Sequence, residues 1–424
     1  MTSATLRRHI TGKLTPKANM NQYSELMPVL TESLLEAFPR TQGGEVEAMV
    51  SHWLQAASTE IPFFTPSMHA HCQSLMEMGR PHSSGTSLVR DSGKANQLAL
   101  PIGWGDIPFP PPKKPRFKFV DLFAGIGGFR IAMQELKGQC VFSSEWDRYA
   151  KKTYESNFGE VPYGDIREIS EKEIPDHDVL CAGFPCQPFS LAGVSARNSM
   201  QTSHGFACET QGTLFFDIVR IIKAKQPKVV FLENVRNLVS HDSGTTFSVI
   251  KNAIESLGYS FSYKLINASP LVPQRRVRCY MVCVKGGEKE FAFPKIEGEP
   301  LPLKSILQKR VPESFTISSK LWAGHQRRTA TNLARGVGFT AFCADLDKPS
   351  NTIVARYGKD GKECLIPQRG KNPRMLTPRE CARLQGFPEE FVISASKTNA
   401  YRQFGNSVAI PVIRKIAEKI IKLI

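Results

Sequence analysis

Short apolar segments alternate with helical periodicity from residue 117 to residue 257, and this alternation constrains the fold more than any other feature of the chain. Four segments have the continuous apolar character of strands buried on both faces: 117–123, 140–145, 177–183 and 228–234. Helical periodicity is present in 213–225 and 246–257. The alternation predicts an α/β fold with a mostly parallel, doubly wound sheet.

The chain that follows predicts how this sheet ends. Segments 259–266 and 278–284 are separated by a short gap, which predicts an antiparallel pair at the end of the sheet. Residues 286–372 break the rhythm because they are rich in Pro, Gly, Lys and Arg, and we interpret them as a small, separate, loop-rich domain. A last apolar stripe predicts a C-terminal helix that packs back on the sheet: Val412, Ile413, Ile416 and Ile420.

The N-terminal region has a different pattern. Apolar residues at helical spacing predict one helix there: Val46, Met49, Val50, Trp53 and Leu54. Pro28 suits the first turn of another helix that continues to residue 38, and 107–118 is a proline-rich, basic connector. We therefore divide the chain into an N-terminal helical extension with its linker (1–115), a sheet domain (116–285), the loop-rich domain (286–372) and a return to the sheet domain (373–424).

Composition limits the partners and the compartment. The 424 residues carry 55 Lys and Arg against 39 Asp and Glu, and the formal net charge of +16 suits a polyanion such as nucleic acid. The 10 cysteines contain no CxxC spacing, which indicates a reducing compartment and no structural metal. No apolar run approaches the roughly 18 residues of a membrane span, so we expect no membrane contact and a cytoplasmic protein.

In a doubly wound sheet, ligands bind outside the carboxyl ends of the strands. The first strand is followed by DLFAGIGGFR, in which Gly125 and Gly127 allow close approach of a ligand to the main chain. Glu145 ends the second strand and could accept both hydroxyls of a ribose, while Trp146 beside it could stack on a purine. Asp165 ends a third candidate strand and could accept a hydrogen bond from an adenine amino group. Each feature alone is as compatible with a tight turn or a solvated acid, but together they indicate a pocket for an adenosine-bearing cofactor without a pyrophosphate.

A second group of chemical residues follows the later strands. Cys186 lies in GFPCQPFS, where flanking prolines present the thiol instead of burying it, although a buried structural thiol is the commoner fate of a cysteine. A presented thiol beside basic groups is a nucleophile candidate. Glu233 ends the next strand, where a desolvated carboxyl can donate a proton. Arg276 and Arg278 alternate along one face at the start of a later strand.

These motifs together resemble the C5-cytosine-specific DNA methyltransferases, especially the bacterial Dcm type. Eight motifs run in the order of the family between residues 119 and 412: DLFAGIGGF, EWD, GDI, GFPCQPFS, LENV, QRRVR, RMLTPRECARLQGFP and YRQFGNSV. The resemblance does not extend to the first 115 residues or to 286–372. It implies that the sheet is that of an S-adenosylmethionine-dependent methyltransferase and that 286–372 is a target-recognition domain.

The resemblance also implies roles for individual residues. Cys186 would attack carbon 6 of cytosine, Glu233 would share a proton at N3, and the activated carbon 5 would take a methyl group from S-adenosylmethionine, which leaves as S-adenosylhomocysteine. Arg278 would bind the O2 oxygen and orient Glu233, and Arg276 would support the catalytic loop or a phosphate. The cofactor pocket would contain ten residues: Phe123, Gly125, Gly127, Glu145, Trp146, Asp165, Ile166, Pro185, Asn406 and Ser407.

The expected partner is double-stranded DNA, from which the target base must be flipped. Three residues are candidate DNA contacts: Ser190 in the loop after Cys186, Arg356 in the recognition segment and Gln403 near the C-terminus. We expect a monomer without metal, located in the cytoplasm and associated with the nucleoid through DNA. It would be a restriction–modification methylase, with a cognate endonuclease as a candidate partner, or an orphan methylase.

Three other functions share parts of this pattern. A nicotinamide oxidoreductase would need a longer phosphate-binding glycine pattern and has no use for Pro-Cys-Gln-Pro. A tRNA cytosine-5 methyltransferase uses the same scaffold and chemistry, but its Cys-Phe-Thr signature is not found in the variable part of this chain. A binding protein with a decayed site is disfavoured because every catalytic position is intact.

Overall fold

The computed structural model describes residues 20–41, 43–55, 61–78, 107–185, 214–287, 290–336, 340–341 and 343–424. The chain divides into two compact units, one of Met1–Pro111 with Tyr154–Gly164 and the other of Pro112–Thr153 with Asp165–Ile424. The segment 286–372, which we expected to be separate, therefore belongs to the same unit as the sheet. Within the described ranges no helix is long and apolar enough to cross a membrane.

A six-stranded sheet in the order β2-β1-β3-β4-β7-β5 is the centre of the second unit. Its strands are β1 (Phe117–Leu122), β2 (Gly138–Ser144), β3 (Val179–Gly183), β4 (Val229–Val235), β5 (Ser262–Asn267) and β7 (Val277–Val284). The pairs among β1 to β4 are parallel, and β7 is antiparallel to both β4 and β5. The predicted doubly wound α/β sheet with a terminal antiparallel pair is confirmed.

Strand register brings the carboxyl ends of the parallel strands together with the beginning of β7. Leu122 pairs with Ser144 on one side and with Ala182 on the other. Gly183 pairs with Glu233, and Val235 pairs with Arg278. The segments in which we predicted functional residues therefore meet at one edge of the sheet, as expected for this architecture.

Within the described residues, seven helices belong wholly or partly to the second unit, apart from those in 286–372. They are α4 (Gly128–Glu135), α5 (Arg148–Phe158, which ends in the first unit), α6 (Phe215–Lys225), α7 (Thr245–Glu255), α10 (Pro378–Leu384), α11 (Lys397–Asn406) and α12 (Ile410–Ile420). Helix α12 packs against α4, and its predicted apolar stripe is fully buried. The predicted C-terminal helix with a buried apolar face is therefore present, and it packs on the first helix after β1.

The first unit contains α1 (Met20–Ala37), α2 (Gly43–Gln55) and α3 (Pro66–Met78). All five apolar residues of the predicted stripe in α2 are buried. The prediction for Pro28 was wrong, because this residue lies inside α1 and not in its first turn. Pro28 is exposed there, so its ring faces solvent. Our prediction relied on the preference of proline for a helix start, which the helical neighbours of Pro28 override.

The segment 286–372 contains one longer helix, α8 (Ser319–Ala334). The other elements there and just beyond are short: α9 (Tyr357–Asp360), β8 (Ser350–Asn351), β9 (Leu365–Gln368) and β10 (Lys371–Met375). The short strand β6 (Gln274–Arg275) pairs with β8. Within the stretch 351–363 the chain forms the single helical turn α9, at Tyr357–Asp360.

A buried ion pair joins β10 to α10. Both Arg374 Nη atoms donate to the Glu380 carboxylate, at 2.8 and 2.9 Å, and the two side chains are almost fully buried. Glu380 also closes a capping box with Thr377 and accepts a hydrogen bond from the Gln308 main chain. The carboxylate therefore compensates a buried charge and fixes three chain segments.

We predict that Glu380→Ala lowers the free energy of unfolding by about 3–5 kcal/mol, because it leaves the Arg374 charge buried without a partner. The matched control is Glu313→Ala, which removes an ion pair between Glu313 and Lys371 whose side chains are exposed. Urea unfolding followed by circular dichroism measures both. Equal shifts for the two variants would contradict the assignment.

Candidate active site

A strained turn follows β1 and shapes the first half of the site. Phe123, Gly125 and Gly127 all have positive φ, at 57°, 56° and 85°. This conformation is uncommon for a residue with a side chain, so Phe123 is held there by its surroundings. Gly127 then precedes the first turn of α4. The turn exposes main-chain N–H groups toward the end of β2.

Glu145 is fastened to this turn by its carboxylate. Its Oε2 accepts from the Gly125 N–H at 2.8 Å and its Oε1 accepts from the Asp147 N–H at 2.7 Å. Burial raises the pKa of Glu145, and the two N–H donors oppose that rise. Trp146, the next residue, is 77% exposed. A fixed acceptor thus lies beside an open aromatic face.

Asp165 has a different setting from the one we expected. It does not end a strand but caps the short 3₁₀ helix Ile166–Glu168 and forms an ion pair with Arg167. Hydrogen bonds from the Arg167 guanidinium lower the pKa of Asp165. Ile166 is buried next to it. Our error was to treat a polar residue after an apolar run as a strand end, although a capping aspartate gives the same pattern.

The remaining predicted pocket residues lie after β3 and at the end of α11. Pro185 is exposed two residues after β3 ends, and Asn406 at the end of α11 is also exposed. Ser407 packs with Val408 against Gly128 at the start of α4. The structure therefore brings the C-terminal segment to the turn after β1, and we retain these residues as predicted cofactor contacts.

Glu233 and Arg278 form the second half of the site. The Arg278 Nε lies 3.3 Å from Glu233 Oε1, and both side chains are largely buried. Burial raises the pKa of Glu233, and the positive charges of Arg278 and Arg276 oppose that rise. Glu233 Oε1 has no hydrogen-bond partner among the described residues. The pair therefore offers a carboxyl that can hold a proton and bond to a further polar group.

The chain just before Cys186 is hydrogen-bonded beside the Glu233–Arg278 pair. The Asn234 side chain donates to the Phe184 carbonyl at 3.0 Å, directly beside Glu233. Gly183, in turn, packs near the Glu233 carboxylate. Cys186 and Ser190 lie outside the described residues, so their predicted roles stay predictions. The position from which Cys186 follows is nevertheless fixed beside Glu233.

Arg276 takes no part in this pair directly. Arg276 is 2% exposed, and its guanidinium donates to three main-chain carbonyls, those of Ile353, Gly405 and Ser407. We had expected it to support the catalytic loop or a phosphate. Sequence reasoning missed the carbonyl contacts because their partners lie about 80 and 130 residues away and are main-chain atoms, which leave no side-chain signal.

The two described candidates for DNA contact differ in exposure. Arg356 has a side chain that is 52% exposed and forms an ion pair with Asp360 at 3.6 Å. Gln403 is buried. Its Nε2 donates to the Tyr149 carbonyl, and its Oε1 accepts from the Thr153 hydroxyl. The structure thus presents Arg356 to solvent but not Gln403, and we no longer propose Gln403 as a DNA contact. Among the residues with described placement, no cluster of His, Cys, Asp and Glu could hold a metal ion.

The mostly parallel sheet, the strained turn with its anchored acid and the buried Glu–Arg pair define an α/β transferase of the methyltransferase class. The profile of the C-5 cytosine-specific DNA methylases matches residues 117–422. The chain belongs to this family and is a DNA (cytosine-5-)-methyltransferase.

Curated relatives support this assignment. The Type II methyltransferase M.SsoII of Shigella sonnei is 50% identical over 324 residues, which cover 74% of this chain and 82% of that protein. The DNA-cytosine methyltransferase of Escherichia coli K12 is 41% identical over 374 residues, with coverage of 74% and 79%. The solved structure of S. pombe Dnmt2 methyltransferase superimposes with a TM-score of 0.58 at 18% identity and covers 72% of this chain and 99% of that one, which supports the fold.

We predict that Glu233 sets the alkaline limb of the pH profile of methyl transfer. Its raised pKa keeps the carboxyl protonated above the usual range, and the proton is lost as pH rises through that value. Glu233→Gln keeps a neutral side chain that does not titrate, so the alkaline limb should flatten while the rate falls about 10²–10⁴-fold. Single-turnover rates across pH measure this. An alkaline limb that is unchanged in the variant would assign it to another group.

Proposed function

We propose that the chain transfers a methyl group from S-adenosylmethionine to carbon 5 of a flipped-out cytosine in a specific short sequence of double-stranded DNA. The observation that carries this proposal is the buried Glu233–Arg278 pair beside the end of β3, from which the chain continues to Cys186. A proton-holding carboxyl next to a presented thiol is what addition to a pyrimidine ring requires.

The chemistry explains the need for both groups. Carbon 5 of cytosine is a poor nucleophile, and a thiolate that bonds to carbon 6 pushes electron density toward N3 and carbon 5. Glu233 gives a proton to N3, and Arg278 bonds the O2 oxygen, so the ring becomes an enamine without a full negative charge. After carbon 5 has gained the methyl group, water takes the proton from carbon 5, the electrons of that C–H bond form the double bond between carbon 5 and carbon 6, and the bond to Cys186 breaks to free the thiolate. N3 then returns its proton to Glu233, so each residue regains its starting state.

The described residues fit the cofactor. The methyl donor, when bound, supplies an electrophilic carbon on a sulfonium sulfur. Glu145 keeps lone pairs available beyond its two main-chain bonds, and the exposed Trp146 offers a stacking surface for an adenine. Gly125 and Gly127 place no side chain over this space. The ion pair with Arg167 limits what Asp165 can accept, so its proposed contact with the adenine amino group competes with that pair.

Several facts favour DNA as the substrate and restriction–modification as the context. The net charge of +16 suits a polyanion. M.SsoII, and also M.HhaI of Haemophilus parahaemolyticus at 41% identity, are both named Type II methyltransferases. By analogy we propose that this chain protects one short DNA site from a cognate endonuclease, and that the site is read by residues in 286–372.

Transfer of tritium from labelled cofactor tests the substrate. We expect label in duplex DNA and none in tRNA, and bisulfite sequencing of the DNA should place every modified cytosine in one short sequence context. Cys186→Ala should abolish the transfer while cofactor binding persists, because the thiol serves only the covalent step. Label in tRNA alone, or turnover retained by Cys186→Ala, would overturn the proposal.

We predict that Trp146→Ala weakens the binding of S-adenosylmethionine by about 1–3 kcal/mol, the scale of a lost stacking and burial contact. Calorimetric titration measures the dissociation constant. Tyr263→Ala is the matched control, because Tyr263 is a half-exposed aromatic on β5, at the opposite edge of the sheet from β2. If both variants bind the cofactor as the unsubstituted protein does, the indole is not part of the pocket.

Base reading and phosphate contact can be separated by substitutions in two different segments. Arg356→Ala should relax which sites are methylated, since an arginine on a guanine edge gives about 1–3 kcal/mol of discrimination. Replacement of Lys113 and Lys114 in the connector by Ala should instead weaken binding to every duplex and flatten its salt dependence. Sequencing of methylated DNA and binding at several salt concentrations measure the two effects. An unchanged site preference in Arg356→Ala would place the reader elsewhere in 286–372.

A further inference from the structure

The segment that carries the arginines also anchors the recognition segment. β6 pairs with β8, and the Thr352 hydroxyl donates to the Arg275 carbonyl at 2.6 Å. The Gln274 side chain accepts from the Ile353 N–H at 3.0 Å and donates to the Leu384 carbonyl at 3.2 Å. Ile353 is only three residues before Arg356. The place where the chain leaves for α9 is therefore set by Gln274 and its neighbours.

Arg276 connects the main chain at Ile353 to the main chain beside the predicted cofactor pocket. One Nη donates to the Ile353 carbonyl at 3.2 Å, and the other donates to the carbonyls of Gly405 and Ser407 at 3.2 and 2.6 Å. Ser407 lies against the start of α4, where the strained turn ends. A single buried guanidinium therefore holds main-chain atoms of the recognition segment (286–372) and of the chain at 405–407. We call 405–407 the cofactor loop, because Asn406 and Ser407 are predicted cofactor contacts.

Close packing at the same junction leaves no room for adjustment. A Cβ placed on Gly405 would lie 2.3 Å from the Val354 carbonyl carbon and 2.5 Å from the Ala355 nitrogen. These are main-chain atoms, so nothing short of a backbone shift could relieve the overlap. The chain around 353–355 and the chain around 405–407 are thus in direct main-chain contact, and Arg276 bridges them.

We propose that Arg276 is a positioning residue that couples target recognition to the cofactor pocket, so that site selectivity and cofactor affinity depend on one guanidinium. The proposal rests on the proposed function for what the two segments bind. Its physical basis is the planar fork of arginine, which can direct separate N–H groups at three carbonyls. A lysine ammonium keeps the charge but is a compact point that cannot span the same carbonyls.

Arg276→Lys tests the coupling, and Arg275→Lys is the matched control. Arg275 is the adjacent residue, is exposed, and has a side-chain hydrogen bond to Asn351 Oδ1 at 3.0 Å. Gly405→Ala disturbs the same junction without touching the guanidinium. Three quantities are measured for each: the calorimetric dissociation constant for S-adenosylhomocysteine, the spectrum of sites methylated in a DNA library, and the melting temperature.

We expect Arg276→Lys and Gly405→Ala to weaken S-adenosylhomocysteine binding about tenfold and to broaden the set of methylated sites at temperatures where both are folded. Arg275→Lys should change neither quantity. A lower melting temperature with unchanged binding and unchanged site preference would reduce Arg276 to a structural role and overturn the proposal. So would failure of both variants to fold. If the unsubstituted protein methylates no DNA, the proposed function fails, while the binding comparison still decides whether Arg276 positions the cofactor loop.

Discussion

Desolvation of the Glu233 carboxyl is the constraint on which the rest of the site depends. A buried carboxylate is costly, so the group either stays protonated or needs a nearby positive charge, and Arg278 stands at 3.3 Å to provide one. The antiparallel pairing of β7 with β4 creates this proximity, because β7 begins beside the carboxyl end of β4. If β7 were parallel to β4, it would begin beside the amino end of β4. The topology of the last strands is therefore part of the chemistry.

Three neighbouring arginines near that carboxyl make different contacts. Arg278 supplies the compensating charge, Arg276 binds main-chain carbonyls, and Arg275 is exposed at the surface. One short segment thus contributes to the candidate active site, to the junction with the segment 286–372 and to the outer surface. This proximity also means that a substitution at one arginine has to be judged against its neighbours, which is why the control for Arg276 is Arg275.

The strands and the catalytic motifs could be predicted from the sequence because their signals are local. A strand buried on both faces must be continuously apolar, and the glycines of the turn after β1 occupy positions with positive φ that other residues rarely adopt. Glu145 and Glu233 were found for the same reason, since Glu145 directly follows β2 and Glu233 lies two residues before the end of β4. The eight motifs are short and contiguous as well, and their order along the chain is enough to indicate the family.

Features that depend on distant partners could not be predicted. The burial of Gln403 depends on its contacts with α5, which lies about 250 residues earlier in the chain. Two other errors came from ambiguous local patterns: Asp165 caps a 3₁₀ helix where a strand end was expected, and Pro28 lies inside α1 where a helix start was expected. The recognition segment carries the weakest periodicity, because short elements held by main-chain hydrogen bonds and single buried pairs need little apolar patterning.

The most direct test of the covalent account is a duplex in which the target cytosine carries fluorine at carbon 5. Fluorine cannot leave as the proton does, so the bond between the thiol and carbon 6 should persist after methyl transfer. Mass spectrometry of the digested protein should then find one nucleotide adduct, on the peptide that contains Cys186, and formation of the adduct should require S-adenosylmethionine. An adduct on a different cysteine, or methylation of the fluorinated duplex with release of free enzyme, would contradict the mechanism.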